Sequence, residues 1–281
     1  MRRSRGLSRW ESIVLAICAV VAVVLGVLVW RTDQPTEVSA ADRAAAMAGA
    51  ASQTVAAPDP RPLNVANQRV LFLGDSFTEG TGANPLTRGY AYLAGEQLGG
   101  DFVVSGHSGS GYVKQGPKDG LTFGQALDTL PATPAPTLVI VQGSINDQEV
   151  TGALYQNADS LISRVRAKWP GVQLAMFGPI AGDPSNEPSV NAIQNVDTIL
   201  QSAAAARSIA YISAEGLDPW VTTSNAAQLI SRDKVHPSPA GHQDIADRLV
   251  QALRTQAGTA TTAPAASTST PAPAGAGTSS R

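Results

Sequence analysis

The chain has 281 residues, 43% of them hydrophobic, and its 20 Lys and Arg against 22 Asp and Glu give a formal charge of −2 at pH 7. That near balance, with no basic stripe, excludes the electrostatic footprint of a nucleic-acid binder. The only cysteine, Cys18, lies in an apolar stretch near the N-terminus, which excludes a disulfide framework, a cysteine zinc site and a thiol nucleophile in the folded region.

Residues 1–11 carry Arg2, Arg3, Arg5 and Arg9 and read as a cytoplasmic N-terminus. An apolar run from about Ile13 to Trp30 follows, closed by Arg31; as a helix it covers roughly 27 Å, close to a bilayer's hydrocarbon thickness. Residues 12–31 are therefore expected to form one transmembrane anchor, with Trp10 and Trp30 at the two interfaces. The arginine excess before the run puts everything after Arg31 on the extracytoplasmic side. The competing reading is a cleaved signal, because Val38-Ser39-Ala40 fits a small-x-small site. The run exceeds the usual signal core of about 7 to 15 residues, which favours the anchor. Both readings export the remainder. Ile17 before Cys18 argues against a lipoprotein cysteine and for a membrane-facing one.

Residues 32–66, rich in Ala, Pro, Thr, Asp and Gln, read as a flexible linker, reaching on the order of 30 to 35 Å as a coil. Residues 67–256 form the folded domain. Five short runs rich in Val, Ile and Leu, "RVLFL", "DFVVS", "TLVIVQ", "VQLAMF" and "IAYIS", read as buried parallel strands. Between and after them "GYAYLAGEQLG", "YQNADSLISRVRAKW", "SVNAIQNVDTILQSAAAA" and "SPAGHQDIADRLVQAL" carry helical spacing. Repeated β-α units of this kind make a three-layer α/β/α sandwich on a five-stranded parallel sheet. Residues 257–281, Thr, Ser, Ala and Pro without large apolar side chains, read as a disordered tail open to glycosylation.

In such sheets, ligands bind beyond the carboxyl ends of the strands. Ser76 of "GDS" follows the first strand directly, "GHSGSG" with Gly109 follows the second, and "GSIND" with Asn146 follows the third; "DKVH", with Asp233 and His236, precedes the last helix. In order and in placement these segments resemble the four blocks of the SGNH hydrolases, or GDSL esterases and lipases, over about residues 67–256. The resemblance implies the flavodoxin-like SGNH fold and a serine esterase needing neither metal nor cofactor. It also implies Ser76 as nucleophile, His236 as its base and Asp233 as the group orienting the imidazole. The backbone N–H groups of Ser76 and Gly109 and the side-chain amide of Asn146 would then form the oxyanion hole. These residue types suit the chemistry, since a serine hydroxyl attacks an ester adequately only when a neighbouring base takes its proton. Activity is accordingly expected to fall as the imidazole protonates, below about pH 6.5 for an ordinary histidine. Two departures stand out: two residues rather than one separate Gly143 from Asn146, and Val104 stands where the family often has asparagine.

Other readings stay open at this stage. "GHSGS" approaches the nucleophile elbow of α/β-hydrolases, with Ser108 as nucleophile, although Ser110 occupies the place of its last glycine. Asp75 and Asp147 read as loop hydrogen-bonding residues, and His107 and His242 as packing or solvated ones. Arg88, Tyr90 and Trp220 fit either a pocket or, for the aromatics, a core. The expected function is an exported, membrane-tethered esterase acting on short O-acyl esters, small or borne on envelope polysaccharide or lipid. An O-acyltransferase acting on envelope sugars and a non-catalytic envelope-binding module are the rivals.

Overall fold

The computed structural model describes residues 63–185 and 189–259. The anchor expected at 12–31 with Cys18, the cleavage site at Ala40, most of the 32–66 linker and the tail from residue 260 lie outside the described residues. Among the described residues no helix is long and apolar enough to cross a membrane.

Five strands, β1 (Val70–Gly74), β2 (Phe102–Gly106), β3 (Leu138–Gln142), β4 (Gln173–Phe177) and β5 (Ala210–Ile212), pair in parallel in the order β2-β1-β3-β4-β5. β3, β4 and β5 lie within the runs expected for them, and β1 and β2 run one residue past theirs, to Gly74 and Gly106. β1 and β3 are buried along their whole length, as expected of inner strands covered on both faces. Side chains alternate between two cores. Phe72, Ile140, Ala175 and Phe177 face one side, where α2 (Tyr90–Leu98) and α7 (Pro239–Thr259) cover them. Leu73, Val139, Val141 and Met176 face the other, against α3 (Phe123–Thr129), α4 (Leu154–Lys168) and α5 (Ser189–Ala206). Two single-turn helices, α1 (Ser76–Glu79) and α6 (Ala226–Leu229), lie in the connections. The result is the expected three-layer α/β/α arrangement.

The domain extends past its expected bounds at both ends. Leu63 and Val65 are 8% and 7% exposed and pack into the first core. The Asn64 N–H donates to Gln173 Oε1 at 2.6 Å, and its carbonyl accepts from Gln173 Nε2. Residues 63–66 therefore belong to the fold and not to the linker. At the other end α7 runs to Thr259, past residue 256, because Ala257 still packs against the core. Helix α3 was not anticipated; it starts at a capping box in which Thr122 and Gln125 satisfy each other's backbone N–H.

Register brings Gly74 level with Gly106 and Gln142, and Gln142 level with Phe177. The loops after β1, β2 and β3 therefore leave the sheet along one edge.

Candidate active site

β1 ends at Gly74, and Asp75 turns the chain into α1 by accepting the Phe77 N–H at 2.9 Å, an N-cap that puts Ser76 at the first helical position. Ser76 is 6% exposed. Its Oγ lies 2.9 Å from His236 Nε2, and His236 Nδ1 lies 2.7 Å from Asp233 Oδ2. A carboxylate only accepts, so the Nδ1 proton belongs to this pair, which leaves Nε2 to take the serine proton. The other Asp233 oxygen accepts the N–H groups of Val235 and His236, each at 3.0 Å, and the Ser231 hydroxyl at 2.7 Å. Slight burial pushes the Asp233 carboxyl up, but the bonds from His236, from these N–H groups and from Ser231 hold it well below the usual carboxylate range. The loop is closed at its base by the Ser231 N–H donating to the His236 carbonyl. Lys234 anchors it sideways to Asp183 at 2.8 Å, and the Phe77 ring rests 5.6 Å from the imidazole.

Three N–H sources lie on the loops that leave this edge. Among the described residues the backbone N–H groups of Ser76 and Gly109 have no acceptor. Gly109 has φ +77°, and a methyl carbon there would stand 2.5 Å from Pro117 Cδ, so the position accepts glycine alone. Asn146 Nδ2 donates to the Ser110 carbonyl at 2.8 Å; an amide nitrogen carries two hydrogens, so one remains available. Asp147, fully buried, accepts the N–H groups of Tyr112, Val113 and Lys114 and the Ser144 hydroxyl. It thereby ties the loop after β3 to the loop after β2. A serine hydroxyl bonded to an imidazole that is itself bonded to a carboxylate is an arrangement that fits acyl transfer.

Residues 72–243 match the family described as GDSL-like lipase/acylhydrolase. The chain belongs to this family of serine esterases. No curated protein matches the chain. Among solved structures, a protein from Lactobacillus plantarum superposes at TM-score 0.57 with 19% identity, covering 68% of this chain and 99% of that one. The aryl esterase of M. smegmatis does so at 0.50 with 18% identity, covering 67% and 99%. A carbohydrate acetylesterase from Sinorhizobium meliloti gives 0.51 with 16% identity, covering 67% and 99%. At these identities the likeness is one of fold.

The remaining candidates of this GDSL-type esterase fall into place by their contacts. Ser108 donates to Glu79 Oε2 and lies 3.5 Å from Thr81 Oγ1, with no imidazole bonded to it, so the elbow arrangement is not built. His242 is fully buried; its Nδ1 accepts the Tyr90 N–H that opens α2, at 3.1 Å, and its Nε2 donates to the Thr81 carbonyl. Burial keeps it neutral by lowering its pKa. Tyr90 is fully buried and bonded to Thr78, Trp220 packs on Phe177 at 5.2 Å, and Arg88 is exposed. Asp75 is fully buried, and burial, with Asp147 nearby, pushes its carboxyl up to about 7 although the Phe77 N–H pulls the other way. Its Oδ2 has no partner among the described residues. Gly143, at φ +134°, leaves space for it: a methyl carbon there would lie 2.8 Å from that oxygen. Sequence reasoning missed Ser231, Glu79, Pro117, Lys118 and Asp119. Only Ser231 carried a signal, standing two residues before Asp233 where a hydroxyl reaches back locally.

Proposed function

We propose that this esterase is exported and membrane-tethered, and that it hydrolyses short-chain O-acyl esters through an acyl-enzyme on Ser76. The observation that carries the chemistry is the unbroken relay from Ser76 Oγ to His236 Nε2 at 2.9 Å and from His236 Nδ1 to Asp233 at 2.7 Å. Ser76 attacks the ester carbonyl while His236 takes its proton, and Asp233 stabilises the imidazolium. The oxyanion is received by the N–H groups of Ser76 and Gly109 and by the Asn146 amide. His236 then protonates the departing alcohol; water, deprotonated by the same imidazole, attacks the acyl carbonyl, and the imidazolium returns that proton to Ser76 Oγ as the acid leaves. Every step uses the chain's own groups.

Export and tethering rest on the arginine-rich start and the apolar run that follows it. That placement points to esters of the cell envelope, acetylated polysaccharide foremost, and the fold shared with a carbohydrate acetylesterase supports the same class. The test is a chain-length series of aryl esters on wild type and on the Ser76→Ala and Ser108→Ala variants. Ser76→Ala should abolish turnover and fluorophosphonate labelling while Ser108→Ala keeps the label on Ser76. Label moving to Ser108 would overturn the assignment of the nucleophile. O-acylated sugar formed at the expense of free acid, with a sugar acceptor present, would replace hydrolysis by transfer.

A further inference from the structure

We propose that residues 113–121 form a brace that sets the position of the Gly109 N–H, and that His107, Lys118 and Asp119 are positioning residues for the esterase reaction. The inference rests on reading Gly109 as an oxyanion donor. Gly109 has no side chain with which to hold itself; its turn is closed by the Ser110 N–H and hydroxyl, which both donate to the His107 carbonyl, and its left-handed backbone is packed from outside. The Pro117 ring occupies that place: a methyl carbon on Gly109 would be 2.5 Å from Pro117 Cδ, and one on Gly116 would be 2.9 Å from the Ser108 carbonyl. The stretch 116–117 therefore lies directly on the 108–109 backbone.

An ion pair and a hydrogen bond pin the brace on either side of this contact. Lys118 Nζ is 3.1 Å from Glu79 Oε1, and Glu79 ends the single-turn helix that Ser76 begins. The second Glu79 oxygen accepts the Ser108 hydroxyl, so one carboxylate holds both the brace and the residue before Gly109. Asp119 Oδ2 is 2.5 Å from His107 Nδ1, and the His107 N–H donates to the Gly74 carbonyl at 2.8 Å. Within the brace, Asp119 Oδ1 accepts the Leu121 N–H, and the Gly116 N–H donates to the Leu121 carbonyl. The turn carrying Gly109 is thereby fixed to the end of β1 and to α1, the two elements that present Ser76.

His107 Nε2 also meets Ser105 Oγ at 2.9 Å. Ser105, His107 and Asp119 thus repeat the atom order of Ser76, His236 and Asp233. The brace reading assigns this second relay to loop geometry and not to attack on substrate.

In each pair one side chain is open to water and its partner is largely covered: Lys118 is 75% exposed against 19% for Glu79, and Asp119 33% against 15% for His107. A pair open to water on one side is partly screened and adds modestly to stability, whereas displacing a catalytic donor by about 1 Å costs on the order of a hundredfold in rate. Stability and rate are therefore separable here, which makes the proposal testable on the full chain. Lys118→Met, Asp119→Ala and the double variant are compared for kcat, KM, affinity for a trifluoromethyl ketone and melting temperature. The expected result is a kcat loss approaching roughly a hundredfold in the double variant, with KM and melting temperature little changed. Ketone affinity should fall by the same factor as kcat/KM, and Asp119→Glu should recover much of the loss. Unchanged kcat and ketone affinity in the double variant would overturn the brace, as would fluorophosphonate label on Ser105 in a Ser76→Ala background. Turnover surviving Ser76→Ala would instead strike the underlying nucleophile reading, so the two failures are distinct.

Discussion

Asn146 donates its side-chain amide to the carbonyl of Ser110, the residue immediately after Gly109, at 2.8 Å. The third donor of the proposed oxyanion hole is therefore oriented by the loop that carries the second. Asn146→Ala should lower kcat for a short aryl ester by about a hundredfold to a thousandfold, the range for losing one preorganised donor, with KM close to wild type. Asn146→Asp should do at least as badly, because it sets a carboxylate beside both the Ser110 carbonyl and the developing oxyanion. Steady-state kinetics of the two variants check this.

Asp233 accepts four hydrogen bonds, and they keep its carboxyl ionised well below the usual range. Asp233 should therefore stay charged throughout the acid limb of kcat/KM. An Asp233 carboxyl seen by NMR to protonate within that limb would contradict it. Asp233→Asn should preserve the loop while lowering kcat by on the order of ten-thousandfold, because the imidazole loses its tautomer control.

Asp75 gives stability an unusual sign. Its folded value of about 7 stands above the ordinary aspartate value of 3.8, so the native state binds more protons than the unfolded chain between about pH 4 and pH 7. Stability from this group is full below that window and is lost as pH rises through it, by on the order of a few kcal/mol. Asp75→Asn keeps an acceptor for the Phe77 N–H without the charge, and should flatten the fall. Urea melts of both proteins between pH 4.5 and pH 8 provide the comparison; a parallel pH dependence would refute the account.

Leu63 and Val65 predict the effect of trimming the chain. A protein beginning at residue 67 loses two buried side chains, at about 1.5 to 3 kcal/mol each by area transfer, and the Asn64–Gln173 pairing besides. It should melt measurably below one beginning at residue 57, while retaining turnover once folded.

The strands were legible because each is a short β-branched or leucine-rich run, and parallel pairing makes such runs nearly continuous. The relay and its donors were legible through four short segments whose order matched a family, with Asp233 and His236 close enough in sequence to suggest their contact. Helix α3 could have been read from the Thr122 to Gln125 capping box, but its short apolar content gave a weak period. Leu63 and Val65 were lost inside a polar, alanine-rich stretch, where two isolated apolar residues have no pattern. Lys118 and Asp119 stand on an exposed turn and Glu79 ends a single-turn helix; all three gain meaning only from partners elsewhere in the chain, 39 residues apart for Lys118 and Glu79. Local periodicity carries no trace of such pairs.

The nucleophile candidate and its base are 160 positions apart in the chain. A ribosome has therefore made the serine, the sheet and most of the helices before it makes the histidine, and nothing in that growing product can cleave an ester. Turnover begins only when the final helix docks and delivers the loop in front of it. On the proposed assignment, catalysis in this protein is a direct readout of completed folding, and a copy that ends before His236 is chemically silent.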